Sequence, residues 1–402
     1  MFQSLENEIS LKNISRTVWI LSLVSLFTDT ASEMLYPIMP VYLKSIGYSV
    51  LLIGIIEGIA EATAGFSKGY FGKLSDATGR RVPFVRFGYS LSAISKPIIG
   101  LLIQPLWVLF ARTIDRLGKG IRTGARDAIL SGEATPQTKG KVFGFHRSMD
   151  TLGAVLGPVF ALLYLYYHHE DYKTLFIIAF IPGLLAIAAT FFLKQQEVIP
   201  KENINKVSFF SFINYWKEAP SNYRKLITGL LVFALFNSSD VFLLLRIKDT
   251  GLNDTMVIGI YIFYNLVYAV FALPLGMLAD KIGLKIVFII GMFLFGFVYL
   301  GMGFNANLFI FIMLFLFYGL YAASTEGIAK AWISNICEKK DVATAIGTYS
   351  AFQSICALLS SSIAGFIWYS AGSEWVFYLA GSAAFFIAFY FLMYVPYKKI
   401  LV

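Results

Sequence analysis

Charge is what this sequence most lacks: Asp, Glu, Lys and Arg make up 14% of its 402 residues, against roughly 25% in soluble domains. So little charge cannot cover a water-facing surface, which excludes an ordinary soluble protein. Cysteine is scarce too. Cys337 and Cys356 are the only two, and neither spacing nor context suggests a disulfide framework or a metal site. There are three histidines; His168 and His169 stand beside Glu170 and Asp171, a run that reads as a solvated loop, with weak metal binding as the alternative. No glycine-rich loop precedes a Lys-Ser/Thr pair, so direct ATP use is not expected. No reactive group is paired with a base, so no catalytic residue, cofactor or metal is expected. The polar stretch before Arg16 has no apolar core ending in a small-residue cleavage site, and the first span itself is expected to direct insertion.

What is abundant is apolar sequence, 57% of the chain. A membrane span needs about 20 mostly apolar residues. Runs bounded by charge clusters and Gly/Pro turns place spans at 17–43, 49–73, 84–103, 105–125, 141–167, 173–193, 225–247, 255–279, 284–303, 306–331, 342–370 and 374–396. The net charge of +9 is distributed by side rather than gathered into a patch for nucleic acid. Lys12 and Arg16, then Lys73, Arg80, Arg81 and Arg86, then Lys139 and Lys141 fall on one side. They are followed there by Lys194 to Lys225, Lys281, Lys285, Lys339, Lys340, Lys398 and Lys399. The other side has little beyond Lys44, Lys173, Arg246 and Lys248. The positive-inside rule then puts both termini in the cytoplasm, which requires an even number of spans.

The chain divides into halves, 1–193 and 225–402, joined by a linker over 194–224. In the linker, Phe209, Phe212, Ile213 and Trp216 recur at helical spacing between Lys206 and Lys217. This predicts a short amphipathic helix at the inner membrane surface, or else a plain linker with apolar residues. The halves repeat. Gly72-Lys-Leu-Ser-Asp76-Ala-Thr-Gly79-Arg80-Arg81 follows span two, and Gly276-Met-Leu-Ala-Asp280-Lys-Ile-Gly283-Leu-Lys285 follows span eight. Ile53-Gly54-Ile55 matches Ile258-Gly259-Ile260, Gly120-Ile121 matches Gly327-Ile328, and Gly144 matches Gly347, all at nearly one offset. Such duplication is how many carriers are built, with the solute site between the halves.

Charge inside the spans is costly, so it faces a cavity or a partner. Asp29 and Glu33 lie one turn apart on span one, as do Glu57 and Glu61 on span two. Lys96 is on span three. Span four carries Arg112, Asp115, Arg116, Lys119 and Arg122, and span five adds His146, Arg147 and Asp150. The second half has Asp240, Arg246, Glu326 and Lys330. These groups either take up protons and hold an anionic solute, or neutralise one another in fixed pairs between spans two, four and five. Among the acids, Asp29, Glu33 and Glu61 are the coupling candidates.

The loop around Gly72, Asp76, Gly79, Arg80 and Arg81 resembles the signature loop of the major facilitator superfamily, and Gly276 with Asp280 resembles its second copy. Ala77 stands where that motif carries a basic residue; Lys281 keeps it. The resemblance implies an all-α fold of twelve transmembrane helices in two pseudo-symmetric six-helix bundles. It also implies a gating role for these loops, since the equivalent Asp and Arg latch the halves in one state, and a cavity lined by spans one, four, seven and ten. That lining makes Asp29 and Glu33 on span one the preferred coupling candidates, ahead of Glu61. Asp115 to Asp127, with Phe143 to Asp150, resembles a prokaryotic branch of the superfamily. Arg116, Lys119 and Gly120 match its fourth-span pattern only with Lys in place of Gln, and Arg112 matches in another register. Gly153-Ala-Val-Leu-Gly157-Pro158 is similar to the fifth-span motif of exporters, with Ala161 at a later glycine position. Physically, the glycines permit close helix approach and Pro158 a bend.

Together these features predict a secondary transporter moving a small solute by alternating access. Proton-coupled export is the leading expectation, with the chain acting as a monomer in the lipid of an inner membrane. The alternatives are a proton-coupled or facilitative importer of an organic anion using Arg112, Lys119 and Arg122, a membrane-embedded lipid enzyme, and a channel.

Overall fold

The computed structural model describes residues 14–195, 207–252, 254–304 and 307–395, and among them there is no strand. Lys12, Lys206, Lys398 and Lys399 lie outside the described residues. The first half comprises α1 (Arg16–Leu35), the short α2 (Met39–Ser45), α3 (Val50–Thr78), α4 (Val82–Leu101), α5 (Pro105–Gly132), α6 (Lys139–Tyr167) and α7 (Tyr172–Thr190). After the linker, with its small α8 (Tyr215–Glu218), come α9 (Ser221–Ala234), α10 (Val241–Lys248), α11 (Asp254–Ile282), α12 (Leu284–Gly303), α13 (Leu308–Ile336), α14 (Val342–Ala371) and α15 (Ser373–Tyr394). Counting α9 and α10 as one interrupted span, this is the expected twelve-span architecture. Among the described residues, eight helices are long and apolar enough to cross a bilayer on composition alone; α5 is not one of them, because it carries the charges of span four.

Local chemistry sets the helix ends. Ser15 Oγ accepts from Val18 N–H, Ser49 Oγ from Leu52 N–H, and Asn307 Oδ1 from Ile310 N–H, each satisfying a donor that the first helical turn leaves open. Gly79 ends α3 at φ +65°, a left-handed conformation in which a side chain is strained. Two expected boundaries differ. Span one closes at Leu35, and α2 follows as a separate piece. Span seven, expected unbroken over 225–247, is interrupted between Ala234 and Val241, where Asn237, Ser238, Ser239 and Asp240 supply polar side chains that compete with the helical backbone.

Packing repeats with the sequence. In the first half α1 packs on α6 and α7, and α5 on α3 and α4; in the second α9 packs on α14 and α15, and α13 on α11 and α12. The halves meet along two equivalent seams, α3 against α14 and α6 against α11. Repeated glycines form them: a Cβ at Gly72 would stand 2.5 Å from Ala343 O, and one at Gly144 would stand 2.5 Å from Ala272 O. Gly276 and Gly347 likewise abut Gly140 O and Lys68 O. At the far end of the same helices Gly54, Gly58 and Gly259 face open space. The bundle is therefore closed at the end bearing the linker and parted at the other.

The linker is tucked into the closed end. Ser211–Asn214 forms one 3-10 turn leading into α8. Phe212 is buried with its ring where a side chain at Gly69 would sit, its carbonyl accepts from Thr348 Oγ1, and Lys73 Nζ donates to Ser211 O. Phe209 and Ile213 are exposed. The helix expected here is thus short and in two pieces, with Phe212 turned into protein.

Candidate functional site

Between the halves lies a cavity of about 380 Å³. Its first-half wall is charged: Asp29 and Glu33 from α1, Lys68 from α3, Arg112 to Arg126 from α5, and Arg147 and Asp150 from α6. The opposite wall is hydroxyl-rich, with Tyr261, Tyr264, Asn265 and Tyr268 on one face of α11, Glu326 and Lys330 on α13, and Ser350 and Gln353 on α14. Ala154 is the one aliphatic side chain among its described lining residues. The broken seventh span does not line this cavity. It borders a smaller one of about 50 Å³ that shares Glu326, Lys330 and Gln353.

Most of the charge is tied in pairs. Arg112 binds Glu57 through two bonds of 2.7 and 2.5 Å and approaches Asp115 at 3.7 Å. Arg116 meets Glu61 at 3.0 Å, and Lys96 meets Asp115 at 2.8 Å. Two pairs join the halves: Arg147 with Glu326 at 2.8 Å, and Asp127 with Lys330 at 2.8 Å. Arg126 holds Asp127 at 2.9 Å, and Arg147 holds Asp150 at 2.7 Å. Arg122 donates to Ser92 Oγ at 2.6 Å and lies 4.5 Å above the Tyr89 ring.

Several groups have no such partner. Among the described residues Asp29 has no cation within 4.0 Å; its carboxyl lies within hydrogen-bonding reach of Asp150. The closeness comes from Gly153, where a Cβ would stand 3.0 Å from Asp29 Cβ and 2.5 Å from Leu26 O. Gly157 similarly abuts Met34 N, and α6 continues as one helix through Pro158. Glu33 receives only a long contact from Tyr261 Oη at 3.4 Å.

The repeated acidic loops close the linker end. Asp76 accepts from Thr344 N–H at 2.7 Å and Thr344 Oγ1 at 2.8 Å, in the first turn of α14. Asp280 accepts from Gly140 N–H and Lys141 N–H, both at 2.7 Å, in the first turn of α6. Each carboxylate thus caps a helix of the opposite half, where the helix dipole favours negative charge. Arg81, not Arg80, joins this latch: it donates to Asp76, Ala128 O and Lys339 O, whereas Arg80 is exposed and bonds locally with Thr78.

The expected site residues therefore separate. Asp29, Glu33, Arg112, Asp115, Arg116, Lys119, Arg122, Arg147, Asp150 and Glu326 reach the cavity, with Glu57 and Glu61 behind it as partners of arginines. His146 is buried beside Ser25, away from the cavity. Asp240 accepts from Tyr264 and Tyr318 near the break in span seven. Arg246 ties α10 to Ser373 and Glu374. Sequence reasoning missed Lys68 and the α11 face, although Tyr261, Tyr264, Asn265 and Tyr268 show the spacing of one helical stripe.

Comparison with known proteins agrees with this architecture. The sequence matches the Major Facilitator Superfamily family model over residues 21–264 and 226–401. It is 34% identical over 363 residues, 89% of each chain, to an uncharacterized MFS-type transporter of Methanocaldococcus jannaschii. It is 23% identical over 407 residues, 97% of this chain and 96% of the relative, to a multi-drug resistance efflux pump homolog of Lactococcus lactis. Among solved structures, a Major Facilitator Superfamily transporter in the outward conformation, FucP, superposes with a TM-score of 0.76 at 12% identity, covering 94% of this chain and 99% of the other. With its duplicated twelve-span body and a family match running nearly end to end, the chain belongs to the Major Facilitator Superfamily.

Proposed function

We propose that this transporter couples protons to the export of a small polar solute by alternating access, working as a monomer in an inner membrane. The observation that carries this reading is the cavity between the halves, sealed at one end by Asp76 and Asp280 and open at the other. The sided distribution of Lys and Arg assigns the sealed end to the cytoplasm, with both termini there. The structure then corresponds to an outward-facing state. Export is supported by the Gly153-Gly157-Pro158 stretch and by the likeness to a multi-drug resistance efflux pump homolog of Lactococcus lactis.

Asp29 is the coupling group in this reading. Asp150 and Glu326 are held by Arg147, Glu57 by Arg112, and Glu61 by Arg116, whereas Asp29 has no fixed cation. A hydrogen bond between the carboxyls of Asp29 and Asp150 needs one proton. Its release leaves two like charges in contact and so changes the relative stability of the two states. Glu33 is the second candidate.

The test uses proteoliposomes with a trapped pH indicator, challenged with a metabolite panel under an imposed pH gradient. Wild type is expected to show solute-dependent proton flux. Asp29→Asn is expected to lose it while keeping exchange of the same solute across the membrane. If Asp29, Glu33 and Glu61 can all be neutralised without loss of pH-driven flux, the coupling assignment is wrong. Flux that moves solute in the direction of the protons would replace export with import.

A further inference from the structure

The charge pairs leave three cavity cations without a carboxylate, Lys68, Lys119 and Arg122, and Arg122 is taken up by Ser92 Oγ and the Tyr89 ring. No described carboxylate oxygen lies within 4.0 Å of Lys119 Nζ or Lys68 Nζ, and the single hydrogen bond of Lys68 is a long one to Ser354 Oγ at 3.4 Å. The two lysines flank one helix crossing: Gly120 on α5 presses against Ser67 on α3, and a Cβ at Gly120 would stand 3.3 Å from Lys68 N. Close backbone approach therefore brings the two lysines to neighbouring positions on the first-half wall, and both line the cavity. Lys68 also sits on the seam between halves, because Gly347 of α14 abuts its carbonyl.

We infer that Lys68 and Lys119 are the substrate-binding cations, and that the solute is a small organic anion bearing carboxylate or phosphate oxygens. The inference rests on reading this cavity as the transport site. Glu61 acts on both lysines, and Asp29 and Glu33 act on Lys119, but none of them bonds either ammonium, which leaves the donors of two neighbouring cations open to an anion. Lysine suits that task as a mobile point charge with three donors. The arginines proposed for it from sequence are committed elsewhere, Arg112 to Glu57 and Arg122 to Ser92. Opposite, the α11 tyrosines offer hydroxyls to the remainder of the solute; Tyr268 Oη is buried near Thr151. A volume of about 380 Å³ is at the small end of ligand pockets, roughly 300–1,000 Å³. With Ala154 as its one aliphatic lining residue, the cavity suits a metabolite and not a lipophilic drug.

The test is thermal denaturation of the purified full chain in detergent with citrate, succinate, inorganic phosphate, glucose or ethidium. At least one anion is expected to raise Tm in a saturable way, and which one responds separates carboxylate from phosphate. Lys119→Gln, at an exposed position, and Lys68→Gln are each expected to weaken that response at least tenfold, while Lys119→Arg retains most of it. Stabilisation by glucose or ethidium alone, the absence of any anion response, or an equal anion response in both Gln variants would overturn the assignment. Counterflow with the same probes separates the two readings. Anion binding without counterflow removes the transport reading and leaves the site, whereas counterflow of glucose but no anion removes the site and leaves the transporter.

Discussion

The Asp76 carboxylate receives two hydrogen bonds from one residue of the opposite half, Thr344: 2.7 Å from its backbone N–H and 2.8 Å from its hydroxyl. Hydrogen bonds to charged groups contribute about 1.5–3 kcal/mol each. Asp76→Ala is therefore expected to shift the closed linker end toward opening by at least tenfold. Hydrogen exchange at the amides of residues 342–346 reads this directly. Unchanged protection there would mean that the carboxylate does not hold the gate. Asp280→Ala should act in the same way on residues 139–142.

Glycine at a packed helix crossing and at the parted end should respond differently. A Cβ at Gly153 meets Leu26 O at 2.5 Å and Thr30 N at 2.9 Å, both backbone atoms that cannot turn aside. Gly153→Val is expected to cost about 1–3 kcal/mol through overpacking, lowering Tm. Gly54→Val, facing open space, should leave Tm within about a degree of wild type. Equal losses at the two positions would contradict the packing described.

Gly54 and Gly259 are repeat equivalents that touch nothing in this state. In alternating access the parted end must close, and these two surfaces are then the seams. Gly259→Trp should preserve Tm yet abolish counterflow by holding that end apart. Normal counterflow by a well-folded Gly259→Trp protein would show that closure does not pass through this surface.

Asp127 is completely buried and meets Arg126 at 2.9 Å and Lys330 of the opposite half at 2.8 Å. Removing one partner of a buried pair costs about 3–5 kcal/mol, whereas removing both is often nearly neutral. Lys330→Met, which leaves Asp127 with Arg126, should thus cost less than Asp127→Asn, which takes the carboxylate from both cations, and the double variant should lose less than the sum of the two. Additive effects in thermal denaturation would mean that the two side chains are not coupled.

The fold was largely legible because a bilayer demands long apolar helices, and duplication repeats its landmarks at one offset. The latch was legible in part. Asp76 and Asp280 stood out, but Arg81 and Arg80 are adjacent in sequence, and only the turn at Gly79 decides which faces inward. Span seven was misjudged at Asn237–Asp240, where four polar residues in a row were the available signal of a break.

The site itself divides differently. Sequence alone determined that this chain lives in lipid, that its halves are related, and that ionised groups gather in the first half, because each follows from composition and spacing along the chain. Only the tertiary structure decided which of those charges are cancelled. Glu57 and Arg112 are 55 residues apart, Arg147 and Glu326 are 179 apart, and a charge is neutralised by its neighbour in space. Lys68, Lys119 and Asp29 stand outside that pairing, which only the packing of helices against helices decides.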